Sequence, residues 1–320
     1  MKLARFAVAR TQTLLVAFTL SAGIAACGGG LGTNPVQPGS SALHVASFTG
    51  TAGARKTLVY VADHANSFVD VFNRDGLLLY VLTKGVSAPA GLFVDAQHNL
   101  WVANPGANNV LVFARGSKKP TRTLQDVNQP NDVAVCGNGT AFVADDLSLG
   151  GVAVYPPGHK KPARRLEAQQ SGREGLESYV TCDTKGNIFA TGYIGLSPFA
   201  ATVGWRRGRE SGYYLFPQDA WSTNGIKATN AGTLLIARDA DSRPALVEFT
   251  EAGKRTGNAI RTGADVWGDI ALDVRQNVVF GTVPRLSAVV ALKFPSGSPS
   301  RTYMANNLVE PEGVAVDPGD

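Results

Sequence analysis

One pattern of short segments recurs along this chain, and one copy of it is cut in two. Gly91-Leu-Phe-Val-Asp95 is followed by Asn99-Leu-Trp-Val-Ala-Asn104 and Val110-Leu-Val-Phe113. A second copy reads Asp132-Val-Ala-Val-Cys136, Thr140-Ala-Phe-Val-Ala-Asp145 and Val152-Ala-Val-Tyr155. A third begins at Leu58-Val-Tyr-Val-Ala-Asp63 and Val69-Asp-Val-Phe72 but lacks its first segment. That segment, Gly313-Val-Ala-Val-Asp317, stands at the far C-terminus. A unit divided in this way brings both ends of the array into one sheet, and a row of units whose ends meet is a ring.

The first segments end at Asp95, Cys136, Asp183, Thr229, Asp273 and Asp317, at spacings of 41, 47, 46, 44 and 44 residues. Six units of this period mark a propeller-type array. Each unit has a four-strand rhythm: a small, β-branched strand, an apolar second strand, an alternating third strand that usually ends aromatic, and a short polar fourth. Runs of four to eight β-branched and aromatic residues between Gly, Pro, Asn and Asp clusters read as strands. The 36 glycines and 17 prolines suit many turns and few long helices. One four-stranded sheet cannot bury both faces alone, but stacked radially it can, with only short edges exposed. The expected fold is all-β: a six-bladed β-propeller over residues 43–320, closed by the C-terminal strand joining the first blade.

The N-terminus reads as an address. Lys2, Arg5 and Arg10 precede an apolar run from Leu14 to Ile24, too short for a good membrane span. The run ends in Ile24-Ala-Ala-Cys27, which resembles the lipobox of bacterial lipoproteins. Residues 1–26 are then a signal peptide and Cys27 an acylated N-terminus that anchors the chain to a membrane. Gly28 follows in place of an Asp that would favour inner-membrane retention, so an outer membrane is the expected location. Residues 27–42 hold the lipidated Cys and a Gly/Pro/Ser tether, with an end-to-end distance of roughly 20 Å. Without the signal peptide, 27 basic residues face 25 acidic ones. That balance, with no aromatic-interleaved basic motif, argues against nucleic acid as a partner.

Phe93-Val-Asp95, Asn99-Leu-Trp-Val-Ala-Asn104 and Asn109-Val-Leu-Val-Phe113 together resemble an NHL repeat, a family of six-bladed propellers. The resemblance covers most of residues 58–317 and weakens in unit four, where Gly192–Ser222 is longer and richer in Arg and aromatics than a repeat needs. In such a ring the loops between strands two and three share a face with those joining strand four to the next blade. This upper face receives Asp63, Asn104, Asp132, Asp145 and Asp265, a candidate ligand-binding set. The opposite, lower face receives the basic turns Lys118-Lys119, His159-Lys160-Lys161 and Lys254-Arg255.

Oxygen ligands converging at a pore mouth suit Ca²⁺ or another hard cation. The arrangement is similar to that of calcium-dependent gluconolactonases of the senescence-marker type. Their motifs match locally at Glu312-Gly313, Asn131-Asp132 and Asn224-Gly225, while Gly268-Asp269 is reversed. The resemblance implies a metal set of Glu312, Asn131, Asn224 and Asp269, and a cation that activates water against a lactone. Set against it, Asp and Asn at strand ends also make local Asx turns, whatever the function. The chain has no G-x-S-x-G, H-E-x-x-H or phosphate-loop signature. Cys136 and Cys182 end first strands in consecutive units. A disulfide between neighbouring blades and two separate buried thiols both fit an exported chain. The reading favoured is a non-enzymatic, monomeric binding or scaffold module for a protein, glycan or small molecule; the alternative is a metal-dependent, lactonase-like hydrolase.

Overall fold

The structure is a computed structural model that describes residues 56–319, apart from 146–150, 168–174, 195–199, 210–211, 216–222, 241–242, 258, 263–266 and 306–307. The described residues form six four-stranded antiparallel sheets. Blade one is Pro311–Asp317, Leu58–Asp63, Phe68–Asn73 and Leu78–Leu82, so the last strand of the chain is the innermost strand of the first blade. Blade two is Leu92–Val94, Leu100–Asn104, Asn109–Phe113 and Arg122–Leu124. Blade three is Pro130–Val135, Ala141–Asp145, Val152–Tyr155 and Arg164–Leu166. Blade four is Gly175–Cys182, Ile188–Ile194, Ala200–Trp205 and Tyr213–Tyr214. Blade five is Thr223–Ala228, Thr233–Ala240, Arg243–Thr250 and Ile260–Arg261, and blade six is Ile270–Leu272, Val278–Val283, Ala288–Lys293 and Pro299–Tyr303.

Strand alternation builds the core as six separate layers, one between each pair of blades. Residues of one parity pack forward and those of the other pack back. Leu58, Tyr60 and Ala62 meet Leu100, Val102 and Phe113 of blade two. Val59, Val61 and Phe72 meet Phe280, Val289 and Tyr303 of blade six. The other four interfaces repeat this scheme. Closure of the ring is visible in the same way: Val59 pairs with Val316 within the sheet while packing across to blade six.

The closing strand is held from both sides. Asp317, fully buried, pairs with Arg115 of blade two and lies 2.7 Å from His98 Nδ1. At its other end Val314 N–H donates to Asp269 of blade six. The aspartates that end first strands elsewhere are turn formers. Asp95 Oδ1 accepts from the N–H groups of Gln97 and Asn99, and Asp183 and Asp273 do the same for their own turns. Cys136 and Cys182 form a disulfide, Cα atoms 5.6 Å apart, between the inner strands of blades three and four. The expected signal peptide, the lipidation site expected at Cys27, the expected tether and the segment to residue 55 all lie outside the described residues.

Candidate functional site

The inner strands succeed one another around the axis, and their upper ends converge. Three of the glycines at this level are there for clearance. A side chain on Gly313 would run into the Ala90 carbonyl, one on Gly91 into Asp132, and one on Gly225 would lie 2.6 Å from Ile270 N. Short polar latches cross the junctions: Gly91 N–H donates to Asn131 O at 2.7 Å, Thr191 Oγ1 to Asn224 O at 2.8 Å, and Gly225 N–H to Gly268 O at 2.8 Å. The second residues of the Glu-Gly and Asn-Gly pairs are therefore set by blade-to-blade approach. The first residues, Glu312, Asn131 and Asn224, sit at or beside a shift of register in their own blades. Such bulges re-aim side chains at strand ends.

Where blades three and six carry Asp in place of this glycine, the carboxylate reaches into the following blade. Asp132 accepts from Val133 and Val180 N–H at 2.8 and 3.0 Å, and Asp269 accepts from Ile270 and Val314 N–H at 2.7 and 3.1 Å. Both are fully buried. Between them stands the ammonium of Lys227 from blade five, 3.4 Å from Asp269 Oδ1 and 3.9 Å from Asp132 Oδ2, with 12% of its side chain exposed. Blades three and six are diametrically opposed in the ring, so this Asp–Lys–Asp cluster ties three blades across the axis.

Burial raises the pKa of both carboxyls, only partly offset by Lys227; Asp132 rises to about 7, with the Asp269 charge adding to the shift. Burial opposes the Lys227 charge, but the two flanking carboxylates outweigh it and its pKa is raised. Two acids share one built-in cation, so the second acid holds its proton more tightly. Glu312, half-buried nearby, is also raised, first by burial, then by Glu310 and Asp269, against a lowering influence from His64.

Two residues of the expected metal set, Asp269 and Asn224, are engaged elsewhere. Asp269 already accepts two backbone hydrogen bonds and an ammonium. Asn224 Nδ2 donates to Trp267 O at 2.9 Å. Among the described residues, no three His, Cys, Asp or Glu side chains gather as metal ligands. An ammonium within 4 Å of both carboxylates takes the electrostatic place of a divalent cation and repels one. These residues do not fit a Ca²⁺ centre.

The expected ligand-binding set is engaged in loop anchoring. Asp63 accepts from Asn66 and Val309 N–H at 3.1 and 2.7 Å. Asn104 accepts from Ser87 N–H at 2.6 Å and donates to Gly85 O at 3.1 Å. Asp145 pairs with Arg165. All three are buried, as is Asp132. Asp265 lies outside the described residues. Among the described residues, these groups therefore turn inward to satisfy neighbouring N–H groups and do not present their charge on the upper face. What it exposes is partly apolar: Leu286 is 57% and Val309 52% exposed, and Ser287 Oγ donates to Val309 O at 2.9 Å. Glu310 and Glu312 adjoin this pair.

Lys227 is the residue that motif reading missed. A signal existed: the equivalent first-strand position is Ala315, Phe93, Ala134, Thr181 or Ala271 in the other blades, and a lysine there breaks the pattern.

No family model and no curated protein matches this chain. Solved structures do. A chain of the nidogen/laminin complex superposes with a TM-score of 0.66 at 13% identity, covering 81% of this chain and 98% of that one. A chain of Kuenenia stuttgartiensis hydrazine synthase superposes with a TM-score of 0.59 at 11% identity, covering 80% and 85%. The likeness is one of fold. It establishes the propeller and carries no ligand or reaction across.

Proposed function

We propose that this chain is an exported lipoprotein, anchored at an outer membrane through acylated Cys27, whose NHL-like propeller docks a protein partner on its upper face. The observation that carries the reading is the exposed pair Leu286 and Val309, whose loops are joined by the Ser287–Val309 hydrogen bond, with Glu310 and Glu312 following Val309 in the chain. Exposed apolar side chains beside charged ones are surface chemistry suited to a protein interface. The axial groups support the same reading, because the carboxylates and ammonium there are committed to one another and to backbone. A structural neighbour described as part of a nidogen/laminin complex shows that a ring of this kind can serve in a protein–protein assembly.

The test is site-specific photo-crosslinking in membranes of cells expressing the chain. A photoreactive residue at Val309 gives a discrete adduct that is lost when Leu286→Asp is added. The same probe at Leu77, 63% exposed on the lower face, gives none. No adduct from Val309, or equal adducts from both positions, refutes the assignment.

A further inference from the structure

The lower face has a cavity of about 330 Å³ between blades two and three, at the low end of the range for ligand sites. It is built from turn residues and strand starts that include Asp95, Trp101, Thr121, Arg122 and Gly158. Its two charged groups are in opposite states. The Asp95 carboxylate is saturated: it accepts from Gln97 N–H, Asn99 N–H, Asn99 Nδ2 and Trp101 Nε1, all at 2.8 to 3.0 Å. Among the described residues Arg122 has no such partner. Its guanidinium lies 4.6 Å from the Trp101 ring centroid, and its Nε is buried without a hydrogen-bond acceptor among the described residues. Asp95 gives Arg122 no ion pair within 4 Å even though both line the same space.

A guanidinium held over an indole ring loses rotamer freedom, and its N–H fork is the group that meets a phosphate or carboxylate with two parallel hydrogen bonds. An unused buried donor costs stability, roughly 1–3 kcal/mol, and an arriving acceptor removes that cost. The surroundings have the right sign. Lys118, Lys119, His159 and Lys160 are exposed on turns of the same face, and Lys161 is engaged with Asp126 at 3.0 Å. Gly158 has no heavy atom within 4 Å of where a Cβ would stand, which leaves the mouth open.

We propose that this cavity binds a small oxyanion group, phosphate or carboxylate, gripped by Arg122, either as a free ion or as the headgroup of an anionic lipid. The site lies on the face opposite the protein-docking rim and stands independently of it.

The experiment is calorimetric titration of the full chain carrying Cys27→Ser with inorganic phosphate and with acetate. In parallel, its binding to phosphatidylglycerol and phosphatidylcholine vesicles is measured with and without added phosphate. Saturable binding of phosphate or acetate is expected. It should weaken about 10–100-fold in Arg122→Gln, the equivalent of a lost charge-assisted hydrogen-bonded pair, and by less in Arg122→Lys. Phosphatidylglycerol binding that phosphate displaces assigns the headgroup; binding of the free ions with no preference between vesicles assigns a soluble oxyanion. If Arg122→Gln fails to fold, Arg122→Lys carries the comparison. No saturable binding of either ion, or variants with the thermal midpoint of the parent that bind as tightly, overturns the proposal.

Discussion

Asp70 is the buried group whose behaviour the ring constrains most. It lies in the third strand of blade one, opposite Val61 and Val81, on the sheet side where Val61 and Phe72 pack against blade six. It is fully buried, and among the described residues neither carboxyl oxygen has a hydrogen-bond partner. Burial, and secondarily the charge of Asp63, push its pKa up to about 7. The unfolded chain releases this proton near pH 4. The folded chain therefore holds an extra proton between about pH 4 and pH 7, and stability from this group falls as pH rises through that window. A rise from 3.8 to about 7 corresponds to about 4 kcal/mol in all, of which about 3 kcal/mol falls between pH 5 and pH 8. The perturbation is Asp70→Asn, which keeps the shape and removes the titration. Thermal or urea unfolding of parent and variant at pH 5 and pH 8 is the assay. The variant should be the more stable at pH 8, and its advantage should shrink by about 3 kcal/mol at pH 5, roughly 6 °C in midpoint for a domain of this size. Other raised acids, such as Asp132 and Glu312, are common to both proteins and cancel in the difference. An advantage that is equal at both pH values, or a parent that is the more stable at pH 8, would refute the reasoning.

Three further outcomes follow from the same packing. The Cys136–Cys182 disulfide closes a loop of 46 residues, so replacing both by Ala should cost about 4 kcal/mol, read as a lower urea midpoint that reductant reproduces in the parent alone. Deleting residues 311–320 removes the inner strand of blade one, its pairing with Leu58–Asp63 and the Arg115–Asp317 pair. Circular dichroism should then show loss of the single cooperative melt, and an unchanged midpoint would contradict ring closure. Lys227→Met leaves Asp132 and Asp269 without their cation and should destabilise by roughly 3–5 kcal/mol at pH 8. The cost should be smaller at pH 5, where Asp132 carries its proton.

The ring was legible because its information is local and repeated. Strand periodicity, the turn-forming Asp95, Asp183 and Asp273, and the misplaced Gly313–Asp317 segment each carry the architecture in a few adjacent residues. The site was legible only as a set of residue types. Glu312-Gly313 and Asn224-Gly225 read in sequence as metal-site motifs or as strand-end turn chemistry, and the clearance their glycines give appears only with the neighbouring blade, through contacts such as Gly313 with Ala90 and Gly225 with Ile270. Asp63, Asn104 and Asp145 count as surface acids and amides in a sequence, yet each turns inward to hold a loop. Lys227 and Asp70 were opaque for the same reason. What makes them consequential is a carboxylate, or the lack of a partner, contributed by residues far away in the chain.

The claim that this propeller works by its surfaces, with its axis occupied by its own ammonium, is tested most directly by titrating the purified chain with Ca²⁺ in a calorimeter while assaying lactone hydrolysis. The account predicts no saturable Ca²⁺ binding and no hydrolysis, in the parent and in Glu312→Gln alike. Ca²⁺ binding and Ca²⁺-dependent lactone turnover in the parent, both lost in Glu312→Gln, would contradict it.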